Sequence, residues 1–244
     1  MTRQVVARWC FGVVLVVSAF SFGLQLVQDY LAVWDPPGTP ELSHAVRMWR
    51  FLSYFSTQSD LLVVITSYLL MRRPDRDGPV WRVVRLNTLT GTTITALVHW
   101  FLLHPLDHFR GLLWASDTLT HIVVPTLAVA AWLVFGPRPR ITFRVVGLGL
   151  VYPLAWLAYT LVVGGFFGFY PYFFLDVNAS GPGVVAIYSV AILVLLFVVS
   201  CLFWLGDRWL PTREGRDETE TGRSGRRGRP AGRGGRGADQ RVPR

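Results

Sequence analysis

The stretch Val184–Leu205, VVAIYSVAILVLLFVVSCLFWL, decides the fold. It carries no charged residue and is long enough to cross a hydrocarbon layer of roughly 30 Å, which takes about 20 helical residues. Outward from it lie five more runs of similar character: Ile141–Gly165, Leu112–Phe135, Arg82–Leu103, Arg50–Met71 and Val5–Val27. They are continuous apolar stretches without the period-two alternation of a membrane barrel, so each reads as a helix. The whole chain is 52% hydrophobic and 16% charged, against about 25% charged in a soluble domain. The expected fold is all-α, a polytopic bundle of six transmembrane helices over residues 1–210. The first run, with Arg3 and Arg8 ahead of it, has the basic start of a signal peptide. It is long for one, and no small-x-small cleavage site follows, so it reads as the first span.

Arginine sets the orientation, because the sequence contains no lysine. Arg3 and Arg8 precede the first span, Arg72, Arg73 and Arg76 follow the second, Arg138 and Arg140 follow the fourth, and Arg208 follows the sixth. The opposite connections hold only Arg47 and Arg110. The positive-inside rule then places both termini in the cytoplasm. Residues 211–244 are rich in arginine and glycine with little apolar company, and are expected to be a disordered tail. Its expected partner is the anionic lipid headgroup, not a specific nucleic acid. Arginine in place of lysine suggests a GC-rich bacterial genome, hence a bacterial cytoplasmic membrane. The sequon Asn178-Ala179-Ser180 then carries no weight.

Polar groups inside a bilayer are costly, about 2.5–3.5 kcal/mol for a central aspartate, so they should turn inward and find partners. Ser53, Ser56, Thr57 and Asp60 are spaced to share one helical stripe. Thr88, Thr92, Thr95 and His99 form another in the third span. In the fourth, Asp117 stands one turn before His121, close enough to orient the imidazole. Thr39-Pro40-Glu41 looks like a helix start ahead of the second span. Cys10 and Cys201 read as small packing residues, and His104 and His108 as turn residues. No cofactor or metal motif is present. The plainer reading of the threonines is backbone bonding and close helix packing, and of Asp60 a tie between helices.

The segments Arg50-Phe51-Leu52-Ser53-Tyr54-Phe55 and Asp117-Thr118-Leu119-Thr120-His121-Ile122-Val123-Val124-Pro125 resemble motifs of the androgen-induced protein family of multipass membrane hydrolases. Tyr170-Pro171-Tyr172 is similar to that family's Tyr-Pro element after the fifth helix. The resemblance covers roughly residues 50–176. It implies a hydrolase of esters between fatty acids and hydroxy fatty acids, with Ser53 as nucleophile and His121 as base. Two positions depart from the pattern: serine stands for the family's threonine, and Asp117 for its amide. Asp117 would hold the imidazole tautomer, and Ser56, Thr57, Asp60, Thr92, Thr95 and His99 would line the pocket. Helical rise puts Ser53 and His121 roughly 27 and 21 Å above the inner ends of their spans, both in the outer half of the bilayer. The expected partner is a membrane lipid or lipid ester.

The competing expectation is a protein without catalysis, either a proton-linked transporter or a lipid-binding scaffold. Asp60, the threonines of the third span and His99 would then line a path. No inverted repeat is visible, and Gly164-Gly165 with Pro182 read as loop flanks rather than as a broken span.

Overall fold

The computed structural model describes residues 2–33, 41–105 and 109–210. Those residues form helices and turns, with no strand among them. The order is α1 (Arg3–Tyr30), α2 (His44–Ser53), α3 (Phe55–Arg72) and α4 (Pro79–Val98), which runs on through a π turn at His99–Leu103. Next come α5 (Leu112–Thr118), a second π turn at Leu119–Val123, and α6 (Val124–Phe135). After these stand α7 (Phe143–Gly149), α8 (Val151–Phe167), a short 3-10 turn at Phe173–Leu175, α9 (Val177–Ser180) and α10 (Pro182–Trp209).

Among the described residues, four helical stretches are long and apolar enough to cross a membrane: Arg3–Tyr30, Leu112–Phe135, Phe143–Phe167 and Pro182–Trp209. Their outer faces stay apolar, with Trp9, Phe20, Phe166 and Ile187 each more than 60% exposed. Ser18, Ser21, Thr88 and Thr92 are meanwhile fully buried. Such an inside-out distribution suits lipid, where apolar surface carries no penalty and polar side chains hold helices together. α3 and α4 have the length of a span but more polar residues. The reason lies in their position: α4 packs against α3, α6, α7 and α10, so its threonine stripe meets protein rather than lipid.

Two apolar clusters fix this arrangement. Leu86 and Leu89 of α4 pack with Trp132 of α6, Val146 of α7 and Phe203 of α10. Phe11 and Val14 of α1 pack with Val63 and Leu70 of α3 and with Val124 and Ala128 of α6. At the end of the bundle where α6 and α10 finish, Asp207 accepts hydrogen bonds from the backbone N–H of Arg140 and Ile141 at 2.5 and 2.7 Å. Arg82 grips Asp77 there with a two-pronged contact of 2.8 and 2.7 Å.

Three local expectations change. α2 starts later than the Thr39-Pro40 signal suggests: Ser43 is its cap, accepting from the Val46 N–H at 3.4 Å. Glu41 precedes the helix, while Thr39 and Pro40 lie outside the described residues, as do Asp107, His108 and the segment 211–244. Gly164 and Gly165 sit inside α8 instead of flanking a loop. A Cβ on Gly164 would fall 2.0 Å from the Tyr170 ring, so glycine is there to let the following loop fold back onto the helix. The third change, a break in the second expected span, bears directly on the site.

A carboxylate-bridged histidine pair beside an apolar cavity

The run expected as one helix from Arg50 to Met71 is two helices. Tyr54 between them is extended (φ −68°, ψ 134°) and belongs to neither. A break leaves carbonyls without helical partners, and in an apolar interior these must be satisfied. Gln58 Nε2 donates to the Leu52 carbonyl at 2.8 Å, and Trp156 Nε1 donates to the Ser53 carbonyl at 2.9 Å. Tyr152 in turn donates to Gln58 Oε1 at 2.7 Å. Side chains from α3 and α8 therefore hold open a new helix start at Phe55. No glycine or proline marks the break, and sequence reasoning missed it.

The break also divides the expected polar stripe. Ser53 Oγ bonds to the Trp49 carbonyl at 2.8 Å and to the Tyr159 hydroxyl at 2.9 Å, and Trp49 Nε1 donates to the same Tyr159 oxygen. Ser56 lies on the far side of the break, in the first turn of α3. Its N–H donates to the Tyr172 hydroxyl at 3.2 Å, and that hydroxyl donates to Ser56 Oγ at 3.4 Å. Burial pushes the Tyr172 phenol up from its usual pKa, so it keeps the proton it donates.

His99, Asp117 and His121 come together. Asp117 Oδ1 is 2.9 Å from His121 Nδ1, and Asp117 Oδ2 is 3.2 Å from His99 Nε2. His121 Nδ1 also lies 3.1 Å from the Asp117 backbone carbonyl. The Asp117–His121 half follows from spacing along one helix. His99 arrives from α4, whose end packs on the Leu119–Val123 turn. Both histidines sit in π turns, a wider and less favourable winding found mostly at functional sites. Each turn precedes a proline, Pro105 or Pro125. A proline ring presses on the carbonyl four residues back, which for Pro125 is that of His121. A histidine followed by proline within one or two turns was the sequence signal for both.

A small apolar cavity of about 60 Å³ lies beside this cluster, well under the usual size of a small-molecule site. His121, Ser56, Thr95 and Tyr172 contribute polar atoms to a wall otherwise built from residues such as Ile94, Leu157 and Leu193. Ser53 is not among its lining residues. Among the described residues, no hydrogen bond joins either Ser53 or Ser56 to His121. Thr57 is buried at the start of α3. Asp60 is 1% exposed, lies near Gln25, and accepts no well-aligned hydrogen bond. Thr92 Oγ1 and Thr95 Oγ1 are likewise buried without a partner. Gln25, by contrast, donates to Thr120, which also pairs with Ser21.

His99, Asp117 and His121 offer three ligand atoms within 4.8 Å of one another, a donor set suited to a transition metal. The two rings, however, are stacked at 4.0 Å and only 12° from parallel. Their in-plane lone pairs therefore run side by side and do not converge. The geometry fits a carboxylate bridging two imidazoles better than a metal cage.

Comparison with protein-family models, with curated proteins and with solved structures returns no match. The reading of this chain therefore rests on its own residues.

Proposed function

We propose that this chain crosses the bilayer six times, with both ends cytoplasmic, and hydrolyses fatty-acyl esters inside the membrane. One observation carries the reading: His121, with Asp117 Oδ1 2.9 Å from its Nδ1, is part of the wall of an apolar cavity. With Nδ1 occupied, Nε2 is the nitrogen left to take a proton from an attacking hydroxyl. Asp117 holds the tautomer, and His99 Nε2 stands 3.2 Å from its other oxygen without a well-aligned hydrogen bond. The resemblance of residues 50–176 to the androgen-induced protein family supports the same chemistry and a lipid ester as substrate. The arginine asymmetry supports the six crossings, a bacterial cytoplasmic membrane as the location, and anionic headgroups as partners of the tail.

The test is ester hydrolysis by the purified full-length protein in lipid nanodiscs, using long-chain 4-nitrophenyl esters. His121→Ala should lower the rate by about 100-fold or more, the usual worth of a general base. Equal rates in the two proteins would end the proposal.

Asp60 favours a second reading. A carboxylate this deeply buried, with no well-aligned donor, is also what a proton-linked transporter carries. Proton flux into proteoliposomes that disappears in Asp60→Asn, without any hydrolysis by the native protein, would select it.

A further inference from the structure

Resting on the hydrolase reading, the geometry points to Ser56 as the nucleophile in place of Ser53, with Tyr172 and the start of α3 forming the oxyanion site. Three independent observations meet at this serine. Ser56 lines the same cavity as His121 whereas Ser53 does not. Ser53 is instead tied to the Trp49 carbonyl and the Tyr159 hydroxyl, in a knot that includes the Trp49 indole. Ser56 is also the second residue of an eighteen-residue helix that begins inside the protein because Tyr54 is extended.

That position matters chemically. The first-turn amides of a helix have no intrahelical acceptor, and the dipole there favours negative charge. Here the Ser56 N–H is taken up by the Tyr172 oxygen, so the backbone fixes the phenol beside Ser56 while the helix dipole favours negative charge there. The Tyr172 phenol adds a donor 3.4 Å from Ser56 Oγ. Two other hydroxyls on the cavity wall, Thr95 and Ser189, have no hydrogen-bond partner among the described residues. Neither stands beside a second donor of this kind.

The substrate class is an ester with a long acyl chain, which the apolar wall would hold. Ser56 Oγ bonds to the acyl carbon as its proton passes to His121, and the carbonyl π electrons move onto oxygen opposite the Tyr172 hydroxyl at the start of α3. Collapse of that oxyanion breaks the ester bond, and the departing alkoxide takes the proton from His121. Water then attacks the acyl-serine, returns a proton through His121 and releases the free acid, restoring Ser56.

The experiment is fluorophosphonate labelling of the native full-length protein in detergent micelles, with the modified serine located by peptide mass spectrometry. An adduct on Ser56 is expected. Ser53→Ala should keep its labelling, and Ser56→Ala should lose it. Tyr172→Phe should lower kcat about 100-fold with little change in KM, as removal of an oxyanion donor does. An adduct on Ser53, Thr95 or Ser189 would overturn the assignment while leaving the hydrolase reading intact. Neither adduct nor hydrolysis in the native protein would overturn both. Because the adduct is mapped on the unmutated chain, the outcome does not depend on any variant folding.

Discussion

The ring of His99 lies flat against that of His121, 4.0 Å away, and both reach one carboxylate, that of Asp117. The contact joins α4 to the turn before α6, so a single carboxylate ties two helices and orients the base. Removing it would take the neighbouring carboxylate from His99 Nε2 and leave His121 Nδ1 only the backbone carbonyl of residue 117.

Asp117→Ala should therefore reduce both stability and hydrolysis. An unsatisfied buried polar group costs about 1–3 kcal/mol, which would appear as a lower thermal midpoint in detergent. Asp117→Asn retains one acceptor oxygen and should fall between the two. If the alanine protein melts like the native one, Asp117 is not the bridge described.

Trp156 supports the site from a distance. Its indole donates to the Ser53 carbonyl left open by the break at Tyr54. Trp156→Phe keeps the ring and removes the donor, so it should destabilise the protein by about 1–3 kcal/mol. It should also slow hydrolysis, because the start of α3 is no longer fixed. Unchanged melting and unchanged rate would show that the break needs no such support.

Chain-length preference should follow cavity volume. Leu193 on α10 faces the cavity, and Leu193→Trp would fill part of it. The ratio of kcat/KM for a four-carbon over a sixteen-carbon ester should rise by about tenfold or more, as one or two kcal/mol of lost apolar contact implies. A parallel fall for both esters would place the acyl chain elsewhere.

The Arg82 fork holds the Asp77 carboxyl well below the usual carboxylate range. A depressed folded-state value adds stability above the unfolded value of about 3.9 and loses it as pH falls below about 4 towards the folded value. The pair is one-third exposed, so solvent screening keeps its contribution small. Asp77→Asn should melt slightly below the native protein at pH 7, with the gap beginning to narrow below about pH 4 and still partly open at about pH 3. A gap that widens on acidification would reverse the sign.

Much of the interior was readable from spacing. Thr92, Thr95 and His99 fall on one face of α4 as their intervals of three and four require, and Asp117 stands over His121 for the same reason. Ser53 was placed on the stripe of Ser56 because nothing local interrupts Arg50–Met71. The extended Tyr54 is held by Gln58 and Trp156, and the indole comes from about a hundred residues away in sequence. No periodicity in one segment can contain that information. Trp156, Tyr159 and Tyr172 escaped notice as partners because aromatic residues on apolar helices look like ordinary packing.

What the sequence alone determined is what local physics governs: long apolar runs that must be helical, and a carboxylate one turn from an imidazole. Tertiary structure decided which of those groups meet. Helical geometry propagates only while the backbone stays helical, so one extended residue at Tyr54 resets the direction of every side chain after it. The partnership of His99 with Asp117 likewise exists only because α4 packs where it does.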